Sequence, residues 1–151
     1  MKRALVLAVG LASLLAILAA GCGGGGGSDK LTKEEYASKL NAICDEYNAK
    51  QKEIGDPESL SDIGDKGPKI VDEFENAIDK AKNLNPPDEI ADQVNRFISL
   101  AEQQRDLLND LIDAAKDNDT AKVQEIGSKI EPLSTEGDQI SNDLGAPACA
   151  A

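Results

Sequence analysis

Apolar residues recur at steps of three and four over four long segments, the period of helices that bury one face. The first segment carries Tyr36, Leu40, Ile43, Cys44, Tyr47 and Ile54. The second carries Leu60, Ile63, Ile70, Val71, Phe74, Ala77, Ile78, Ala81 and Leu84. The third runs from Ile90 through Val94, Phe97, Ile98, Ala101, Leu108, Leu111 and Ile112 to Ala115, with Gln104 on the same stripe. The fourth shows Val123, Ile126, Ile130, Leu133, Ile140 and Leu144. Nothing alternates with the two-residue period of a strand. Four helices with short connections predict an all-α fold, an antiparallel up-down-up-down four-helix bundle.

The punctuation between the segments agrees. Thr32-Lys33-Glu34-Glu35 has the form of a capping box, and Leu31 and Tyr36 are spaced for a hydrophobic staple. Gly55 and Pro57 stop the first helix, and Asn85-Pro86-Pro87 stops the second. Gly64, Gly67 and Pro68 interrupt the second segment, which predicts either a kink or a split into a short helix and a longer one starting at Pro68. Pro87-Asp88-Glu89 opens the third helix with a proline and two acids. Asp117-Asn118-Asp119-Thr120 reads as a turn and a cap, Pro132 as a bend, and Gly145 as the end of the fourth helix.

Upstream of the helices the chain changes character. Met1-Lys2-Arg3 is basic, Ala4 to Ala20 is apolar apart from Ser13, and the small residues Ala19, Ala20 and Gly21 lead to Cys22. The layout is that of a secretory leader, and the run is somewhat short for a spanning helix. The stretch resembles the lipobox of bacterial lipoproteins, with the leucine at Leu18 one position further from the cysteine than is usual. That resemblance covers the first 22 residues only. It implies removal of residues 1–21, lipidation of Cys22 and an anchor in the cell membrane on its extracytoplasmic side. Two or three acyl chains hold a protein stably, whereas one is marginal. Gly23 to Ser28 reads as a flexible linker with a span of ~12–15 Å. Residues 22–28 are thus the anchor and tether, and residues 29–151 the helical domain.

Composition narrows the chemistry. The chain of 151 residues has a formal charge of −12, and losing Lys2 and Arg3 with the leader takes it to −14. Such a surface repels nucleic acid and anionic headgroups. Aromatic residues make up 3% and there is no Trp, which weighs against sites that stack sugars or bases. There is no His, so neither a Ser-His-Asp triad nor the Glu-x-x-His pairs of di-iron bundles can be built. Asp117-Asn118-Asp119 begins like a calcium loop, but Lys122 and Ser128 stand where the loop needs Gly and Glu. The expectation is a protein with no catalytic residues, no metal site and no cofactor.

With Cys22 lipidated, Cys44 and Cys149 remain as a pair in an oxidising compartment and are expected to form a disulfide. In an up-down bundle the last helix ends near the start of the first. The tail beyond Gly145 reaches ~16 Å, enough to bring Cys149 to Cys44. Small residues mark the fourth helix at Gly127, Ser134, Gly137 and Ser141. They read either as sites of close helix packing or as the wall of a groove. The first functional reading is a non-catalytic envelope protein that binds another protein. The alternative is a small-molecule binder that uses a groove beside the fourth helix. The sequence sets neither the ligand, nor the oligomeric state, nor which membrane holds the anchor.

Overall fold

A computed structural model describes residues 30–150. The lipobox, Cys22 and the glycine linker lie outside the described residues. Helix α1 spans Lys33–Ile54, α2 Leu60–Lys82, α3 Ala91–Lys116 and α4 Thr120–Asp143, with 3-10 turns at Asp88–Ile90 and Pro147–Cys149. The described residues hold four long helices and no strand, so the chain is the expected all-α bundle.

Local chemistry sets the boundaries. The Thr32 hydroxyl accepts from the Glu35 amide at 3.2 Å, and the Glu35 carboxylate accepts from the Thr32 amide at 2.9 Å. That is the complete capping box. Gly55 at φ 81° ends α1, a backbone angle costly to a residue with a Cβ. The Asp119 carboxylate caps α4 by accepting from the Lys122 amide at 2.9 Å. Just before it, Asn118 takes φ 56° and turns the chain out of α3. The Asn118 amide donates to Ala115 O and the Asp119 amide to Ala114 O, a Schellman arrangement. The same pair of bonds recurs at the end of α4, where Gly145 donates to Asn142 O and Ala146 to Ser141 O.

Helix α2 is a single helix through Pro68, neither split nor restarted there. Its glycines explain how it stays docked. A Cβ on Gly67 would lie 2.5 Å from Ile112 Cγ1, and one on Gly64 would lie 3.3 Å from Lys116 Cγ. Their absence lets α2 press onto the end of α3, and that contact supports the helix across the turn where proline removes a hydrogen bond.

Two zones of packing differ in quality. At one end Tyr36, Leu40, Ala81, Ile90, Val94, Leu144 and Ala146 form a closed cluster, with Leu31 packed against it as the staple requires. Tyr36 is fully buried there, yet its hydroxyl finds no hydrogen-bond partner among the described residues. Burial pushes its pKa up to about 12 from an ordinary value of 10.0. The unfolded chain releases this proton at lower pH than the native one, so the Tyr36 contribution to stability is intact below pH 10 and falls as pH rises towards 12. Tyr36→Phe is expected to stabilise the fold by about 1 kcal/mol, because it removes a buried, unpaired polar group. It should also shrink the alkaline loss, leaving the part due to Tyr47, whose burial raises it as well. Urea unfolding at pH 7 and pH 11 measures both effects, and a variant less stable than the parent at pH 7 would contradict them.

The helices pack in chain order, α1 on α2, α2 on α3 and α3 on α4. Closure of the ring differs from the side-by-side pairing of the first and fourth helices expected of a regular bundle. Helices α1 and α4 barely touch, and the C-terminal turn lies between them and packs on both. Interhelical ion pairs among the described residues follow the same order. Glu46 meets Lys80 at 2.7 Å, Lys82 meets Glu102 at 2.5 Å, and Arg96 grips Glu136 through two bonds of 2.6 and 2.7 Å. The Arg96 guanidinium holds the Glu136 carboxyl below its usual range. All these groups are exposed enough that water screens most of their attraction. None of these pairs draws α1 to α4.

Candidate functional site

The weakly closed side of the bundle contains a half-enclosed cavity of about 320 Å³. All four helices contribute to its wall, with Ile43 and Tyr47 from α1, Phe74 and Ala77 from α2, Phe97 and Leu108 from α3, and Ile130 and Gly137 from α4. Tyr47 and Phe74 pack with ring centroids 5.4 Å apart and planes tilted by 44°. The wall is mainly apolar, and Asn48, Gln51, Gln104, Ser134 and Asp138 bring polar groups to it. Its size falls within the range of small-molecule sites, about 300–1,000 Å³.

The closed end fixes the cavity floor. Cys44 and Cys149 form the expected disulfide, with Cα atoms 5.1 Å apart, and both line the cavity. Two asparagines flank that bond on the same face of α1, three residues before and four after Cys44. Asn41 donates to Gly145 O and accepts from the Ala148 amide, both at 2.9 Å. Asn48 donates to Ala148 O at 2.9 Å. The C-terminal turn is therefore clipped to α1 by one covalent and three hydrogen bonds. The clip does the work that direct packing of α1 on α4 would do elsewhere. Sequence reasoning missed both asparagines. Their spacing from Cys44, which places all three on one helical face, was the available signal.

The four small residues of α4 separate in the structure. Ser134 and Gly137 line the cavity. The Ser134 hydroxyl accepts from the Gln104 amide at 2.9 Å, so the polar residue on the third stripe is satisfied across the α3–α4 interface. Gly127 is not part of the cavity wall. Among the described residues a Cβ at either Gly127 or Gly137 would meet nothing within 4 Å, so neither glycine serves close approach between the described helices. Ser141 is fully buried beside the closed end and donates to Asp138 O at 2.9 Å.

Chemically the described residues give the cavity an apolar body, amide and hydroxyl groups, and the carboxylate of Asp138. Among the described residues no three His, Cys, Asp or Glu side chains converge to hold a metal ion. No helix of the described residues is long and apolar enough to cross a membrane. Against known protein families, curated proteins and solved structures, the chain matches none.

Proposed function

We propose that this is a lipid-anchored extracytoplasmic binding protein whose helical domain holds a small, largely apolar molecule between α1 and α4. The observation that carries the reading is the half-enclosed cavity of about 320 Å³, walled by all four helices. It favours the small-molecule alternative over a protein partner as the domain's primary role. The lipobox resemblance supports the anchor through Cys22, and the disulfide suits an oxidising compartment.

Two matched substitutions test it. Gly137→Leu fills the cavity, whereas Gly127→Leu puts the same side chain on the same helix away from it. Each is expected to stabilise the fold by about 1 kcal/mol through helix propensity. Binding of 1-naphthol, a neutral apolar probe, is expected to fall at least tenfold in Gly137→Leu and to stay unchanged in Gly127→Leu. Titration calorimetry on the mature chain, residues 22–151 with Cys22→Ser, measures it. Equal affinity in the two variants would sink the reading.

A further inference from the structure

Provided that the cavity is the binding site proposed above, one polar pair in its wall identifies what the bound molecule carries. Gln104 of α3 and Ser134 of α4 are both half-buried, and both line the cavity. The Gln104 amide donates one N–H to the Ser134 hydroxyl at 2.9 Å. Three other hydroxyls of α4 donate to their own helix, Ser128 to Gln124 O, Thr135 to Glu131 O and Ser141 to Asp138 O. That is the ordinary use of a hydroxyl inside a helix. The Ser134 hydroxyl accepts from across the interface instead, and among the described residues its own proton goes to no acceptor. The Gln104 carbonyl oxygen likewise accepts from no donor among them. A side-chain amide has two donors and an acceptor, and a hydroxyl has one donor, so the bond between them leaves capacity on each. The pair therefore presents a donor, the Ser134 O–H, beside an acceptor, Gln104 Oε1, on a mainly apolar wall. A ligand that lacks the matching groups leaves both unpaired away from water, and a site of this kind rejects it.

We infer that the cavity takes a molecule of about two fused rings that carries an amide, as a lactam does. Its carbonyl accepts from the Ser134 hydroxyl, and its N–H donates to the Gln104 carbonyl oxygen. A lactam holds its oxygen and its N–H on one edge of a plane, so it meets two neighbouring wall groups at once. A ketone meets the serine alone, and an alcohol must reach both groups from a single oxygen. The rings lie against Tyr47, Phe74 and Phe97, which share the wall. A cavity of about 150 Å³ holds one benzene, so about 320 Å³ suits two rings.

Three uncharged probes on one bicyclic frame decide it. Dihydroisocarbostyril, 1-tetralone and 1-tetralol carry a lactam, a ketone and an alcohol. Each is titrated by calorimetry into the mature chain, residues 22–151 with Cys22→Ser. The lactam is expected to bind at least about fivefold tighter than either analogue, the effect of one hydrogen bond. Gln104→Met removes the acceptor at similar volume. It is expected to bring the lactam down to the affinity of the ketone and to leave the ketone within about twofold. Ser134→Ala removes the donor that both carbonyls use and is expected to weaken lactam and ketone alike, by about threefold. The comparison of probes in the parent chain stands whether or not either variant folds. A ketone or alcohol that binds the parent as tightly as the lactam overturns the inference and leaves the cavity reading standing. A lactam preference that survives Gln104→Met, or carbonyl binding untouched by Ser134→Ala, does the same. If none of the three binds while 1-naphthol does, the inference alone falls. If 1-naphthol fails as well, or if Gly137→Leu leaves binding unchanged, the cavity reading falls and takes the inference with it.

Discussion

Replacing Cys44 and Cys149 together by serine is expected to lower the free energy of unfolding by up to about 4.7 kcal/mol. The two residues are 105 positions apart, so the bond spans almost the whole helical domain and removes a long loop's freedom from the unfolded chain. The fold makes the loss local as well as global. Helix α1 packs on α2 and on the C-terminal turn, and the turn is what joins α1 to α4. Without the disulfide three hydrogen bonds remain to hold it, two donated by Asn41 and Asn48 and one that Asn41 accepts from the Ala148 amide. Bonds of that kind contribute about 1 kcal/mol each. Amide exchange should therefore quicken first in α1 and in residues 145–150, ahead of the α2–α3 interface at Gly67 and Ile112. Urea unfolding of the oxidised, reduced and doubly substituted chains gives the magnitude. A loss below about 1 kcal/mol would show that the clip, and not the covalent bond, holds the end together. Loss of apolar-probe binding in the double serine variant, at temperatures where it remains folded, would show further that the floor of the cavity depends on the bond.

Features that act within a few residues of chain could be read directly from the sequence. The capping box at Thr32, the stop at Gly55, the cap before α4 and the end at Gly145 each depend on a local backbone need that one residue type meets. The bundle followed from four stripes of the right period, and the disulfide from the two cysteines left once Cys22 is set aside, with topology and tail length in agreement. What escaped were relations between stripes. A period of 3.6 says that Tyr47, Phe74, Phe97 and Ile130 face inward, but not whether the faces meet. Here they surround a space, because the C-terminal turn wedges between α1 and α4. Gly127 and Gly137 look alike in sequence, yet only the second lines that space. Pro68 read as a kink or a split because the sequence does not show that Gly67 abuts Ile112. Asn41 and Asn48 resembled solvated helix positions until the C-terminal turn supplied their partners.

Leu144→Ala and Ile130→Ala are expected to differ in cost by several-fold, although both remove apolar side chains from the fourth stripe. Leu144 is fully buried, packed with Tyr36 and Leu40 in the closed end. Its truncation leaves a void in tightly packed surroundings and should cost about 2–5 kcal/mol. Ile130 is half-buried on the wall of a space that already exists. Truncation there enlarges an open cleft, and only the partial transfer from water is lost, about 1 kcal/mol or less. Chemical denaturation of both variants measures the contrast. Equal costs near the upper value would mean that α1 and α4 close over Ile130 in solution, and no cleft would then be available to a ligand. The expected inequality would place the weakly packed region where the binding reading needs it. It also accounts for the disulfide's position, at the border between the two zones, where one covalent bond keeps the cleft from loosening the core beneath it. Ile130→Ala should then bind the larger of two neutral ring probes better than the parent does, while Leu144→Ala leaves that preference unchanged.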